Sequence, residues 1–311
     1  MLDVLVAHSL TAFECPAGYG TVYWFLACSG CRSVTEYPLT EVESSGRICV
    51  VMSLTEPTAT VVDFEILLPE ADLDLDQDEE WCEVLVAGER RRIRFHDYHE
   101  IYSIPGLYER LFYDTLKCAS PRVIRNQLAR VLAKRGTEPS QLRVLDVGAG
   151  NGIVGEELRE LGVGAVFGVD IIEEAAGAAH RDRPDVYDRY LVADLTDLAP
   201  DQCDTLAEAD INTMTTVAAL GFDDMPPLAF ASAYNFISTP GLVAFTIKEN
   251  FVASRDLSGF SELIGRMFDE EVIRPLAEQR YRHRLSVRGE PLYYVGFVAE
   301  KVSDIPRAWL D

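Results

Sequence analysis

The sequence predicts an α/β protein with a largely parallel sheet, preceded by a small, mostly β region. Short apolar strands alternate with helical segments after about residue 140, and a glycine-rich turn follows the first of these strands. Such alternation is typical of a parallel sheet that helices cover on both faces. The first 90 residues instead contain short β-branched and aromatic runs separated by Gly and Pro, which predicts strands and turns.

The charge distribution divides the chain in two. Residues 1–90 contain 17 acidic and 3 basic residues, a large share of the net charge of −23. This shift supports a boundary near residue 90, between a β-rich region 1–90 of unknown role and a second domain 91–311. Strands are expected near 21–27, 47–52 and 60–68, and a hairpin from 83–87 and 90–95. Cys28 and Cys31 form one isolated pair and are interpreted as ordinary thiols, so no metal is predicted.

Composition and charge restrict the possible partners. The chain has 48% hydrophobic and 25% charged residues, as ordinary globular proteins do. Its net charge of −23 repels nucleic acid, so a small molecule or a protein is the expected substrate. No apolar run reaches membrane-spanning length and no secretory signal is recognised, which predicts a cytoplasmic protein without membrane contact. Exposed strand edges in the β region make a homodimer an additional expectation.

The second domain is expected to open with two helices and then to alternate between strand and helix. Helical periodicity covers 108–116 and 120–135, with Ser120 as N-cap, Pro121 in the first turn and Gly136 after the last turn. The strands predicted for the core are 143–147, 165–170, 191–193, 211–218 and 242–247. Helices are predicted at 152–161 and 173–180.

The first core strand runs directly into a glycine-rich loop, Gly148-Ala149-Gly150-Asn151-Gly152. Glycines let the backbone turn sharply and approach a ligand closely, and open α/β sheets bind ligands beyond the carboxyl ends of their strands. A dinucleotide fingerprint needs a third glycine where Ile153 stands. Asp146, just before the loop, would sit badly beside a pyrophosphate but well beside the cationic amino or sulfonium group of a methyl donor. The loop therefore favours S-adenosylmethionine over a dinucleotide.

Carboxylates also follow the next two strands. Asp170 ends the second strand, where it can accept hydrogen bonds from both hydroxyls of a ribose. Asp194 follows the third strand, where it can accept a hydrogen bond from an adenine amino group while Leu195 lies against the ring. Because burying carboxylates without partners is costly, acidic residues at three successive strand ends predict a ligand site.

Residues 143–152 resemble motif I of class I S-adenosylmethionine-dependent methyltransferases. Within that superfamily, segments 154–158, 168–171, 186–195 and 245–249 are similar to the Williams–Beuren-region methyltransferase-like proteins, whereas 1–90 lies outside the family pattern. The resemblance implies a Rossmann-like sheet of seven strands in a core spanning 143–301, with a reversed final hairpin at 281–285 and 292–299. It implies a methyl group near Ala218, and cofactor contacts at Asp146, Gly148, Ala149, Gly150, Asp170, Ile171, Asp194 and Leu195.

The segment 96–118 precedes the core at the place where related enzymes carry a cofactor lid. Tyr98 is expected to cover the cofactor, and His96, His99 and Tyr102 are catalytic candidates, with a histidine as general base. The alternative is an amphipathic aromatic connector with exposed histidines. Glu249, after the fifth core strand, can orient an amine acceptor or simply be solvated.

The expected function is methyl transfer from S-adenosylmethionine to a nitrogen, oxygen or carbon atom of a small molecule, as in secondary metabolism. Two alternatives stay open at this level. The domain can be a non-catalytic scaffold that binds cofactor or product, or a protein methyltransferase whose N-terminal region recognises a partner. Turnover of a methyl acceptor separates a catalyst from a scaffold.

Overall fold

The computed structural model describes residues 43–44, 47–48, 63–70, 75–86, 88–221, 224–249 and 259–310. Contacts divide the chain into a unit Met1–Thr60 and a unit Val61–Asp311. Of the first unit, the structure describes a short antiparallel pair, β1 (Glu43–Ser44) and β2 (Arg47–Ile48). The strand predicted at 21–27 and the pair Cys28 and Cys31 lie outside the described residues.

The second unit begins with a three-stranded antiparallel sheet. Its strands are β3 (Phe64–Leu67), β4 (Trp81–Val86) and β5 (Glu89–Arg94), in the order β3-β4-β5. The predicted hairpin is confirmed as β4 and β5, with Gly88 at a φ of +85° in its turn. Alternate residues Cys82, Val84 and Ile93 are fully buried on one face, as expected for a sheet that covers a core on one side.

This sheet shares its core with the segment that follows it. Phe64, Cys82 and Ile93 pack in one cluster with residues 101–116, which explains why contacts divide the chain after residue 60. As a division by function, the boundary near residue 90 stays a prediction. The segment contains α1 (Tyr98–Ser103) and a π-helix at Glu109–Thr115, where the sequence predicts helical structure without specifying its type.

The next helix, α2 (Ser120–Arg135), begins and ends close to the predicted residues. Pro121 lies in its first turn, and Gly136 closes it at a φ of +64°. Ser120 is not an N-cap, which corrects the prediction. Its hydroxyl lies 2.6 Å from the Tyr281 hydroxyl and 2.7 Å from Nδ1 of His283, so the side chain connects the helix to a distant strand instead.

The core is a seven-stranded sheet with the reversed final hairpin that the resemblance implies. Its strands are β6 (Arg143–Val147), β7 (Ala165–Asp170), β8 (Arg189–Val192), β9 (Thr213–Thr216), β10 (Gly241–Lys248), β11 (Ile273–Leu285) and β12 (Pro291–Lys301). The spatial order is β11-β12-β10-β9-β6-β7-β8. The five strands β6 to β10 pair with one another in parallel. Strand β12 is antiparallel to both of its neighbours, β10 and β11.

Helices cover both faces of this sheet. They are α3 (Ile153–Leu161), α4 (Glu173–Asp182), α5 (Pro200–Glu208), α6 (Pro227–Asn235) and α7 (Phe260–Asp269). Two apolar clusters result, one centred on Phe230 and Phe245 and the other on Leu128 and Val144. Within the described part of the chain, no helix has the length and apolar character to cross a membrane.

Candidate functional site

A cavity opens beyond the carboxyl ends of β6, β7, β8 and β9. It encloses about 800 Å³, including the open space at its mouth. Because these strands are parallel, their carboxyl ends meet at one edge of the sheet, and the loops that follow form the cavity walls. Several residues predicted for the cofactor line it: Tyr98, Gly148, Asp170, Ile171, Asp194, Leu195 and Ala218.

The glycine loop takes the sharp turn that its sequence predicts. Gly148, Gly150 and Gly152 have φ values of +69°, +53° and +89°, which side chains rarely tolerate. A Cβ at Gly150 would collide with the hydroxyl of Tyr102, and one at Gly148 would lie 2.9 Å from the Cβ of Ala219. The glycines therefore give the backbone its turn and also make room for neighbouring residues of the protein.

Asp170 is held with its carboxylate at the floor of the cavity. Oδ2 accepts a hydrogen bond from the Gly150 amide at 2.9 Å, and Oδ1 accepts one from the Ile172 amide at 3.0 Å. Burial raises the pKa of Asp170, and these backbone hydrogen bonds oppose the increase. Both oxygens keep lone pairs beyond these bonds, so the fixed carboxylate can accept hydrogen bonds from two adjacent hydroxyls.

The wall beside Asp170 is apolar. Ile171 is 62% exposed, which is unusual for an isoleucine that directly follows a buried strand. Leu195, Met225 and Ala229 line the same cavity, which suits a flat apolar group. Asp194 is exposed beside them, and its pKa is lowered by hydrogen bonds from the side chain and the backbone amide of Thr196.

Asp146 has a place that differs from the expected one. Its side chain is buried and lines neither this cavity nor the neighbouring one. Oδ2 accepts a hydrogen bond from the Tyr187 hydroxyl at 2.8 Å, and Oδ1 accepts one from the Thr215 hydroxyl at 2.7 Å. Burial raises its pKa to about 7, against the effect of both hydrogen bonds. Asp146 therefore connects Tyr187 to Thr215 and lines neither cavity, although the sequence predicts a cofactor contact for it.

Three neighbouring tyrosines of the segment predicted as a lid, Tyr98, Tyr102 and Tyr108, line the cavity. Tyr98 stacks on Tyr102 at 6.0 Å between ring centroids, and Tyr102 lies 5.0 Å from Tyr108. The segment is anchored to α4, because Arg181 donates to the Tyr102 carbonyl at 3.2 Å. Burial raises the pKa of Tyr102 well above its usual range, so its hydroxyl stays neutral.

The same tyrosines line a second cavity, which has about 770 Å³ of empty space when the open space at its mouth is included. Ala149 and Gly150 border it, as does the predicted base His96. Nδ1 of His96 lies 2.8 Å from Oδ2 of Asp224, which precedes α6. Sequence reasoning missed Asp224 and other polar residues here, Gln77, His283 and Arg284, because no short-range pattern marks them.

His99 and Glu249 do not join either cavity. His99 is exposed on α1 and lines neither cavity. The Glu249 carboxylate forms a bidentate pair with Arg280 at 2.6 and 2.9 Å on the surface. Both side chains fit the solvated alternative better than a catalytic role.

The family model described as "Methyltransferase domain" matches residues 119–277. No curated protein matches the sequence. Among solved structures, the chain is similar to magnesium protoporphyrin IX methyltransferase from Synechocystis with bound S-adenosylhomocysteine, at 15% identity and a TM-score of 0.39, over 58% of this chain and 82% of that chain. It is also similar to the N-methyltransferase NodS from Bradyrhizobium japonicum, at 14% identity and a TM-score of 0.41, over 58% and 96%. An S-adenosylmethionine-dependent methyltransferase from Mesorhizobium loti is similar at 16% identity and a TM-score of 0.37, over 57% of this chain and 100% of that chain.

Proposed function

The chain belongs to the methyltransferase domain family, and we propose that it transfers the methyl group of S-adenosylmethionine to a nitrogen, oxygen or carbon atom of a small molecule. The first cavity is the main support for this proposal. In it, the Asp170 carboxylate, fixed by backbone amides, lies beside an exposed apolar wall at the edge of the sheet. Membership of the Williams–Beuren-region methyltransferase-like group is part of the same proposal and rests on the resemblance of segments 154–158, 168–171, 186–195 and 245–249.

The residues present fit an adenosyl group. The Asp170 carboxylate is placed to accept hydrogen bonds from both ribose hydroxyls, and Ile171 and Leu195 offer apolar surface for an adenine ring. Asp194 can accept a hydrogen bond from the adenine amino group, and Gly148 borders the same cavity. When bound, S-adenosylmethionine supplies a methyl group that is already activated by its sulfonium sulfur.

The protein's own task is then alignment and exclusion of water. Tyr98 and Tyr102 cover the cavity, and Ala218, after β9, lies where the two cavities adjoin. A second cavity with a largely aromatic lining favours a small acceptor over a macromolecular surface. The net charge of −23 also disfavours nucleic acid as substrate. A cytoplasmic location and a homodimer stay predictions from the sequence.

Calorimetric titration with S-adenosylhomocysteine and with NAD tests the donor site. Asp170→Ala should weaken S-adenosylhomocysteine binding by about 1–3 kcal/mol, because the ribose hydroxyls lose a charged acceptor. Asp201→Ala, which removes an exposed carboxylate from α5, should leave the affinity unchanged. Tight binding of NAD without a response to S-adenosylhomocysteine would contradict the proposal.

A further inference from the structure

The second cavity carries a set of groups that donor binding does not use. It shares Tyr98, Val217, Ala218 and Asp224 with the first cavity. Residues that line both cavities mark the place where they adjoin. A molecule in the second cavity would therefore face a methyl donor in the first.

Aromatic rings make up much of the second cavity's wall. Phe95 contacts Phe112 edge to face at 5.6 Å, Tyr108 lies 6.0 Å from Tyr113, and His283 stacks on Tyr294 at 4.0 Å. Aromatic rings favour one another in edge-to-face and offset stacked arrangements. A wall of this kind selects a flat aromatic guest over an aliphatic one.

A histidine held by a carboxylate lies in this wall. Nδ1 of His96 is 3.0 and 2.8 Å from the two carboxylate oxygens of Asp224. When Nδ1–H donates to Asp224, the lone pair of the imidazole is on Nε2, the nitrogen that then accepts a proton in general-base catalysis. Such a pair is useful only for an acceptor whose proton must be removed. Phenols have this requirement, whereas neutral amines are nucleophilic without a base.

A buried glutamine offers a second contact. Gln77 is 8% exposed, and its Nε2 donates to the Tyr294 hydroxyl at 2.8 Å. Its Oε1 has no hydrogen-bond partner among the residues that the structure describes. Because an unsatisfied buried acceptor is costly, Gln77 is suited to accept a hydrogen bond from a bound molecule.

The charges in the cavity wall are balanced. The Arg284 guanidinium donates to Glu80 at 2.5 Å, and both side chains are almost fully buried. Burial raises the pKa of Tyr294 to about 12, whereas the hydrogen bond from Gln77 and the charge of Arg284 lower it. No described carboxylate in this wall is left to pair with a cation, since Asp224 pairs with His96. A neutral guest therefore fits better than an ammonium or a carboxylate.

We infer that the second cavity is the acceptor site, and that its substrate is a neutral phenol carrying a second hydrogen-bond donor. His96 is the general base, and Gln77 receives the second donor. The inference rests on the proposed function, whose acceptor it specifies. It also gives the segment before β4 a role, since this segment supplies Gln77 to the site.

The reaction balances with the donor that the family uses. His96 takes the phenolic proton on Nε2, and an electron pair of the phenol oxygen forms the new bond to the methyl carbon. The electron pair of the broken carbon–sulfur bond stays on sulfur, which leaves neutral S-adenosylhomocysteine. The proton then passes from His96 to solvent.

Binding is measured first, by calorimetry on the full chain saturated with S-adenosylhomocysteine. The probes are hydroquinone, 4-methoxyphenol, benzylamine and benzoate. Hydroquinone should bind about tenfold more tightly than 4-methoxyphenol, which lacks the second donor, and more tightly than both charged probes. Gln77→Leu should remove the preference for hydroquinone, with Gln77→Met as a second variant if the first lowers the melting temperature.

A matched control exists for the glutamine. Gln127 is also buried, with its Nε2 donating to the Gly296 carbonyl, but it lines neither cavity. Gln127→Leu should therefore keep the preference for hydroquinone. Loss of the preference in both variants would show a general packing effect and overturn the role of Gln77.

Turnover tests the base separately. His96→Gln should bind hydroquinone normally and lower kcat by about 100-fold, the lower range for loss of a general base. The decrease should be much smaller with 4-nitrophenol, whose hydroxyl ionises near neutral pH. His180→Gln, an exposed histidine on α4, is the control and should retain full activity. An equal decrease with both phenols would overturn the role of His96.

The outcomes separate the two proposals. Preferential binding of benzylamine or benzoate would overturn the substrate class. If S-adenosylhomocysteine binds and none of the four probes does, the acceptor-site inference is wrong while the proposed function stands. If S-adenosylhomocysteine itself does not bind, the proposed function is wrong, and the acceptor-site inference that rests on it is wrong as well.

Discussion

At the scale of single residues, Asp146 and Asp170 show how one residue type acquires two roles. Both lie at the carboxyl ends of neighbouring parallel strands, Asp146 near the end of β6 and Asp170 at the end of β7. Asp170 is held by backbone amides and faces the first cavity, whereas Asp146 is held by Tyr187 and Thr215 behind the loop. An aspartate at or near the end of a core strand is the same sequence pattern for a carboxylate that faces a cavity and for one that is buried among other side chains.

Asp146 should make the stability of the protein depend on pH. Its pKa is raised to about 7 in the folded protein, so the folded state holds the proton more tightly than the unfolded chain does. The contribution is therefore present below the unfolded pKa of about 4 and is lost as the pH rises through 7. Asp146→Asn does not titrate, so relative to the variant the wild type should lose up to about 4 kcal/mol between pH 4 and pH 8.

Urea unfolding of both proteins across this pH range measures the difference. Asp194→Asn is the control, because Asp194 is exposed and its pKa is lowered rather than raised. That variant should not show the same loss at rising pH. A constant difference between wild type and Asp146→Asn from pH 4 to pH 8 would contradict the buried, protonated state of Asp146.

At the scale of elements, a buried ion pair joins the small sheet to the final hairpin. Glu80, just before β4, accepts a hydrogen bond from Arg284 of β11 and another from the Val287 amide at 2.7 Å. The exposed fractions of the Glu80 and Arg284 side chains are 1% and 4%. Breaking a buried pair leaves one charge without compensation, which is worse than removing both charges.

Glu80→Ala should lower the free energy of unfolding by about 3–5 kcal/mol, because Arg284 loses its buried partner. The double variant Glu80→Met with Arg284→Met should recover much of the loss. Glu83→Ala is a matched control, since Glu83 pairs with Arg90 and Arg92 at the surface. Surface pairs contribute about 0–1 kcal/mol, so this variant should unfold nearly as the wild type does. Equal effects of Glu80→Ala and Glu83→Ala would contradict a buried connection.

At the scale of the whole molecule, both cavities belong to the unit Val61–Asp311. The small sheet is therefore continuous with the methyltransferase core, since its buried face packs on the lid segment. A cut at residue 60 removes none of the lining residues, whereas a cut at residue 90 removes Gln77 and the buried residues Cys82 and Val84.

A chain that begins at residue 61 should bind S-adenosylhomocysteine within about threefold of the full chain, a change below 1 kcal/mol. A chain that begins at residue 91 should have a lower melting temperature and bind more weakly, because the lid loses the apolar surface on which it packs. Calorimetry and thermal unfolding of the two chains provide the comparison. Equal stability and affinity would make residue 90 the functional boundary after all.

Local sequence determined the parallel core and several residues of the cavity at the carboxyl ends of its strands. Strand and helix periods, the glycines of the loop and the aspartates at strand ends are short-range patterns, and the order of strands follows from the family to which they belong. Gly148, Asp170 and Leu195 accordingly line one cavity, whereas Asp146 does not.

Tertiary structure alone decided the second cavity and the direction in which each carboxylate points. Gln77 and Tyr294 are 217 residues apart, and His96 and Asp224 are 128 apart, so no local pattern can pair them. Asp146 accepts a hydrogen bond from Tyr187, 41 residues away, and Glu249 pairs with Arg280 at the surface. Contacts between distant segments depend on how the sheet, lid and hairpin pack, and that packing is a property of the whole folded unit.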